Sequence, residues 1–327
     1  MLGKKVVPKL ILQPKEGKSS RSFGKRTAKS RFDSRWVLTI ILGVTVLLSV
    51  FFYLKNRVSQ AITEIKSPLI ISNVPPEKKF DPSPVLGKIQ ALTQDLRGKY
   101  GVAVYRLDDG KEYGVNEDEA FPAASLMKLP VLATLYQEAE QGEINLGTEY
   151  ILKEKDKVLG NGFLLNQPAG SHYTYRQIVE YMGHYSDNTA YMVMTSLLTR
   201  DRIQQTINNL GMKTTLADEN QTSPADLRVF FRDLYQGKIL NKDDRDEVLG
   251  FLTKTIFEDR IAAGVPANIR VAHKVGTDLG TYSDAGIIFA EKPFVLVIMS
   301  KDAKEDEAKE VLPKITEAVW NFENPSP

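Results

Sequence analysis

Two short strand patterns near residue 100, three apolar runs between 269 and 300, and a block of helical periodicities between them predict an α+β fold. Strands at both ends of a helical stretch close most simply into one antiparallel sheet that joins the domain's two termini, with the helices forming a subdomain of their own. In front of this domain the sequence predicts one transmembrane helix.

Residues 1–35 hold eleven Lys/Arg against Glu16 and Asp33, whereas the rest of the chain carries 32 basic and 39 acidic residues. This basic tail leads directly into 36–54, nineteen residues without a charge or a proline. At about 1.5 Å per residue such a helix covers roughly 28 Å, the thickness of a bilayer's hydrocarbon core. Positive residues stay on the cytoplasmic side. The expected location is therefore the cell membrane, single-pass, with a cytoplasmic tail at 1–35 and everything after Leu54 extracytoplasmic. Ser59-Gln60-Ala61 loosely matches a signal-peptide cleavage site, but the apolar and basic regions are too long for that reading. A basic block beside a membrane is usually topogenic or lipid-facing, so no nucleic-acid partner is expected. Pro68, Pro75, Pro76, Pro82 and Pro84 make 55–85 an extended linker. Residues 86–327 then suffice for one domain with a substantial core.

Within that domain, 85–97 reads as a helix and 100–107 as an alternating strand, followed by the turn pair Asp109-Gly110 and a second strand through Tyr113. Helical periodicity follows at 126–141, ending at Gly142, then at 175–185, 189–198, 201–209 and 224–236. The apolar runs 269–274, 283–290 and 294–300 read as adjacent antiparallel strands. An amphipathic helix over 305–321 closes the domain.

Several chemistries are excluded at once. There is no cysteine, so neither a disulfide framework nor thiolate catalysis is available. His172, His184 and His273 lack metal-ligand spacing, and no G-x-S-x-G elbow exists. Gly17-Lys18-Ser19 imitates the end of a phosphate loop, but Leu12 stands where its first glycine belongs. Neither a metal nor a cofactor is expected.

What remains is Ser125-Leu126-Met127-Lys128, a hydroxyl and an amine three residues apart, which on a helix share one face. A helix N-terminus would also favour negative charge developing on an attacked carbonyl. Ser22-Phe23-Gly24-Lys25 has the same spacing inside the basic tail, so the pattern alone is weak. Ser186-Asp187-Asn188 follows 61 residues after Ser125, and Lys274-Val275-Gly276 lies on an expected strand.

In that order the three motifs resemble the S-x-x-K, S-D-N and K-T-G set of class A β-lactamases and penicillin-binding proteins. Phe121-Pro122-Ala123-Ala124 before the serine and Thr222-Ser223-Pro224 at a later helix start add to the likeness, which spans 86–323. The resemblance implies a β-lactamase/transpeptidase-like fold and a serine hydrolase acting on a β-lactam or a D-alanyl-D-alanine peptide. Ser125 would be the nucleophile and Lys128 its base, neutral when it acts. Ser186 would relay a proton to the leaving nitrogen and Lys274 would attract the substrate carboxylate. Asn188 would hold the substrate's amide, the N–H groups of Ser125 and Thr277 would bind the oxyanion, and Gly276 would let the substrate backbone approach the strand.

Three departures stand out. Val275 replaces a hydroxyl residue, Pro130 sits early in the expected catalytic helix, and only thirteen steps separate Gly211 from Pro224. Hydrolytic members of that family carry a long loop there, with an E-x-x-L-N glutamate. Asp218 and Glu219 are the nearest acids, and β-lactam turnover is expected to be slow. A catalytically silent cell-wall-binding module keeping the same fold is the competing reading.

Overall fold

The computed structural model of the chain describes residues 34–64 and 80–325. The basic tail before Ser34 and most of the proline-containing linker lie outside the described residues. The chain divides into two units, Met1–Lys78 and Lys79–Pro327.

In the first unit a helix, α1, runs over Ser34–Glu64, so the apolar stretch 36–54 is helical. Its described side chains, among them Leu42, Leu47 and Phe51, are exposed. Side chains at 34–37, 40 and 58–64 lie outside the described residues, and among those described no helix is long and apolar enough to cross a membrane.

The second unit opens with helix α2 (Ser83–Thr93), started by Pro84 in its first turn, where a missing N–H costs nothing. Strand β1 (Lys99–Arg106) turns through Gly110, at φ +74°, into β2 (Glu112–Val115). After β3 (Phe121–Pro122) come α3 (Lys128–Glu140), β4 (Glu149–Ile151), β5 (His172–Thr174), α4 (Tyr175–His184), α5 (Asn188–Leu198) and α6 (Arg200–Asn209). Then follow β6 (Gln221–Thr222), α7 (Pro224–Tyr235), α8 (Lys242–Phe251), β7 (Val271–Asp278), β8 (Thr281–Ile288), β9 (Phe294–Lys301) and α9 (Glu305–Glu323).

One antiparallel sheet has the order β2-β1-β9-β8-β7, so the first and last strands of the domain pair directly, from Lys99 opposite Lys301 to Arg106 opposite Phe294. Strand β9 shows why. Val295, Val297 and Met299 face one core with the helical subdomain, while Phe294, Leu296 and Ile298 face a second core with α2 and α9. Successive strand side chains point to opposite faces. With both faces covered, β8 is buried throughout and β1 nearly so, which replaces the polar alternation expected for β1 by a continuous buried run.

Among the described pieces outside the sequence expectation are the pairs β3/β6 and β4/β5, helix α8, and a 3₁₀ turn at Ala124–Met127. The β3/β6 pair matters most for the site. It ties the chain entering Ser125 to the short segment before α7, and Ala123 N donates to Asn220 O at 2.7 Å.

Candidate active site

Ser125 lies in the 3₁₀ turn Ala124–Met127, and α3 begins only at Lys128, which corrects the expected α-helical placement. A 3₁₀ turn has three residues per turn and eclipses positions i and i+3. Lys128 consequently stands directly over Ser125, with Nζ 2.8 Å from Oγ. The backbone enters this turn through Ala124 at φ +47°, an uncommon region for a residue with a side chain. Buried Leu126 and Met127 anchor the turn below. Pro130 falls in the first turn of α3, where its missing N–H breaks no intrahelical bond.

Lys128 is buried, and its Nζ meets Ser186 O at 2.6 Å, Asn188 Oδ1 at 2.8 Å and Ser186 Oγ at 3.2 Å besides Ser125. Burial pushes its pKa down to about 7, only partly opposed by Asp187. All four partners are oxygens placed to accept from Nζ. Once the amine is neutral, the two carbonyl oxygens, which can only accept, hold both of its N–H bonds, and its lone pair is free for a hydroxyl proton.

Ser186 is also backbone-strained, at φ +53°, and fully buried. Its hydroxyl accepts from Lys274 Nζ at 2.8 Å, so Ser125, Lys128, Ser186 and Lys274 form one hydrogen-bonded chain. Burial, and then the neighbouring Lys128, hold the Lys274 pKa well below its ordinary value. Asp187 caps α5 by accepting from Ala190 N at 2.9 Å and also accepts from Leu164 N at 2.7 Å. Asn188 donates through Nδ2 to Leu159 O at 3.2 Å. The glycine-rich loop 160–162 lies tightly on this motif: a Cβ on Gly160 would meet Asn188 Nδ2 at 2.5 Å.

Gly276 makes a close contact possible. A side chain there would strike Ala123 O at 2.8 Å and Leu126 Cγ at 3.1 Å, so this glycine lets β7 approach the turn that carries Ser125. Thr277 lines the cleft beside Ser125, and its Oγ1 accepts from Arg260 Nη2 at 2.6 Å. Arg260 was missed by sequence reasoning because it stands in an irregular segment with no motif around it. The buried guanidinium also donates to Gly276 O (3.0 Å) and Ser283 O (2.6 Å) and stacks on Tyr282, 3.5 Å from the ring centroid. His273 was likewise unassigned. It lies buried between Asp284 (2.9 Å from Nδ1) and Glu258 (3.3 Å from Nε2). Burial opposes the charged ring, but the two carboxylates prevail and raise its pKa to about 9.

Ser125, Lys128, Asn188 and Thr277 open onto one cleft of about 610 Å³. Its far wall includes the short segment before α7, pinned by Asp226, which accepts from Lys213 N, Thr214 N and Thr215 Oγ1 at 2.7–3.0 Å. Asp218 reaches the cleft but is paired with Arg200 at 2.8 Å. Glu219 is exposed and does not line the cleft.

Residues 85–322 match the model of the beta-lactamase enzyme family. The chain is 22% identical to beta-lactamase VEB-1 of Pseudomonas aeruginosa over 265 residues, 72% of this chain and 89% of that protein. Its fold superposes on a beta-lactamase of Sphaerobacter thermophilus with TM-score 0.71 and 25% identity, covering 76% of this chain and all of the other. A mutant of PBP-A, solved as an acyl-enzyme with penicillin G, gives TM-score 0.69 at 26% identity, covering 74% and 97%. Fold, ordered motifs and a match over most of its length agree: the chain belongs to the beta-lactamase enzyme family.

Proposed function

We propose that the protein is a serine acyl-transfer enzyme that opens β-lactams through a Ser125 acyl-enzyme and releases the product slowly. The observation that carries this reading is the buried Lys128 amine, 2.8 Å from Ser125 Oγ and within hydrogen-bond reach of the carbonyl oxygens of Ser186 and Asn188. Lys128 takes the Ser125 proton as Oγ bonds to the lactam carbonyl carbon. The oxyanion is held by the backbone N–H groups of Ser125 and Thr277, each such donor being worth about 3 kcal/mol in the barrier. The C–N bond then breaks. Ser186 gives its proton to the leaving nitrogen and recovers one from the Lys128 ammonium. Lys274 and the hydroxyl of Thr277, backed by Arg260, receive the substrate carboxylate, an anion that favours the charged form of Lys274 against the burial that opposes it.

Slow release follows from the acids near the cleft. Asp218 is paired with Arg200, Glu219 does not line the cleft, and Asp278 lines it but accepts from Leu279 N, so among the described residues no carboxylate bonds to Ser125 or Lys128 where it would activate water. Missing general-base help lowers the hydrolytic step by about 10² to 10⁴. The PBP-A acyl-enzyme with penicillin G is consistent with a long-lived adduct. Fluorescent penicillin labelling with peptide mass spectrometry tests the reading. The expected adduct sits on Ser125, disappears in Ser125→Ala, survives Ser22→Ala, and persists through a chase with unlabelled drug. An adduct on Ser186, or none, would leave the silent cell-wall-binding module as the better account.

We propose further that 36–54 within α1 crosses the membrane and places the catalytic domain outside the cytoplasm. The exposed apolar side chains of α1 and the basic run before it support this topology.

A further inference from the structure

On the face of β7 turned away from Lys274 stands a buried charged cluster that the acylation chemistry leaves unused. His273 and Thr277 lie four positions apart on this strand, so their side chains share one face, whereas Lys274 points to the other and meets Ser186 at 2.8 Å. The shared face is crossed by the irregular segment 252–261 between α8 and β7, which carries Arg260. Where that segment starts, His273 N donates to Leu252 O at 2.8 Å. Gly286 stands opposite His273 on β8, and a Cβ there would lie 2.5 Å from the His273 Cβ, so a glycine is needed beside the ring.

The imidazole grips this segment through two acids. Its Nδ1 lies 2.9 Å from Asp284 of β8, and its Nε2 lies 3.3 Å from Glu258 of the segment itself. Carboxylates only accept, and a neutral imidazole has a single N–H, so only the imidazolium can donate to both. Asp284, fully buried, accepts in turn from Ile261 N at 3.0 Å. Arg260 is therefore held on both sides, through Glu258 before it and Ile261 after it. Burial opposes the ring's charge, but the two carboxylates outweigh it and raise the pKa to about 9, which keeps this clasp closed at neutral pH.

Arg260 Nη2 donates to Thr277 Oγ1, which leaves the hydroxyl hydrogen of Thr277 to donate to a carboxylate in the cleft. Resting on the serine acyl-transfer reading, we infer that His273 is a positioning residue: as an imidazolium bridging Asp284 and Glu258, it holds Arg260 on Thr277 and so orients the hydroxyl offered to the substrate carboxylate. Opening the clasp lets the segment and its guanidinium drift from β7. Thr277 then turns freely, and affinity for an anionic substrate falls. Ser125 and Lys128 bond to neither the segment nor His273, so their own contacts survive the change.

The test uses the full chain in detergent. Histidine-selective nitrogen NMR should show His273 protonated on both ring nitrogens at about pH 8, where an ordinary histidine is neutral. Replacing His273 would strand the buried Asp284 and endanger the fold, so the kinetic variants are made at the partly exposed Glu258. Glu258→Ala opens one side of the clasp, whereas Glu258→Gln keeps an amide oxygen that can accept from Nε2–H. In stopped-flow acylation by penicillin, Glu258→Ala should raise the half-saturating concentration about tenfold. Its limiting acylation rate should stay within about twofold of the parent, the signature of lost binding without lost chemistry. Glu258→Gln should restore the parent's half-saturation. A neutral ring at about pH 8, parent constants in Glu258→Ala, or a loss confined to the limiting rate would each overturn the positioning role while the acyl-transfer reading stands. If penicillin acylates not even the parent, both fall together.

Discussion

Lys128 is a base only in its neutral form, and burial brings that form within physiological range. Penicillin acylation should rise as pH passes through about 7, where Lys128 loses its proton, and reach a plateau above it. Lys128→Arg keeps a cation in place but cannot deprotonate, so acylation should fall by about 10² to 10⁴ at every pH. Stopped-flow labelling between pH 5.5 and 9 decides; a flat profile would remove Lys128 as the base. The side chains that meet at the candidate site were legible in the sequence because each motif is a contiguous word whose spacing has a local geometric meaning. Arg260 and the His273–Asp284 pair were not. Their contacts arise from the β7/β8 register and from a loop that returns behind β7, which no short spacing encodes.

At the scale of elements, long periodic helices and continuous apolar strands were readable, with boundaries shifted by a few residues. The missing pieces are those whose stability comes from elsewhere. Two- and three-residue strands such as β3 and β6 have no period to detect, and α8 buries only Val248 and Leu249 behind a charged first turn. The 3₁₀ turn at Ser125 was read as the start of α3 because S-x-x-K fits both geometries. Its packing gives a prediction at this scale. Gly276→Ala should cost about 1–3 kcal/mol, because the new methyl group meets the rigid carbonyl of Ala123. Thermal melting should drop by several degrees, and acylation should fall with it as the Ser125 turn is displaced. Gly87→Ala, mid-helix in α2 with nothing within 4 Å of the new atom, should instead stabilise by up to about 1 kcal/mol. Equal melting temperatures for the two variants would refute the close approach of β7 to the turn.

At the scale of the whole molecule, the proposed topology predicts that protease added to intact cells releases a fragment beginning in the linker 55–85. A fragment protected until lysis would overturn it. The two buried lysines also bear on the stability of the domain as a function of pH. Lys128 has a lower pKa folded than unfolded, about 7 against 10.5, so between those values the unfolded chain binds a proton that the native state lacks. Unfolding takes that proton up. Stability therefore rises with pH across this window, and the penalty, of the order of a few kcal/mol, is complete below about pH 7 and gone above 10.5. Lys274 is shifted the same way and adds to the effect. Lys128→Met should unfold at higher temperature than the parent near pH 6, and the difference should shrink as pH approaches 10. The amine proposed to activate Ser125 is thus a standing cost to the fold, largest at acid pH, where acylation is also predicted to be slowest.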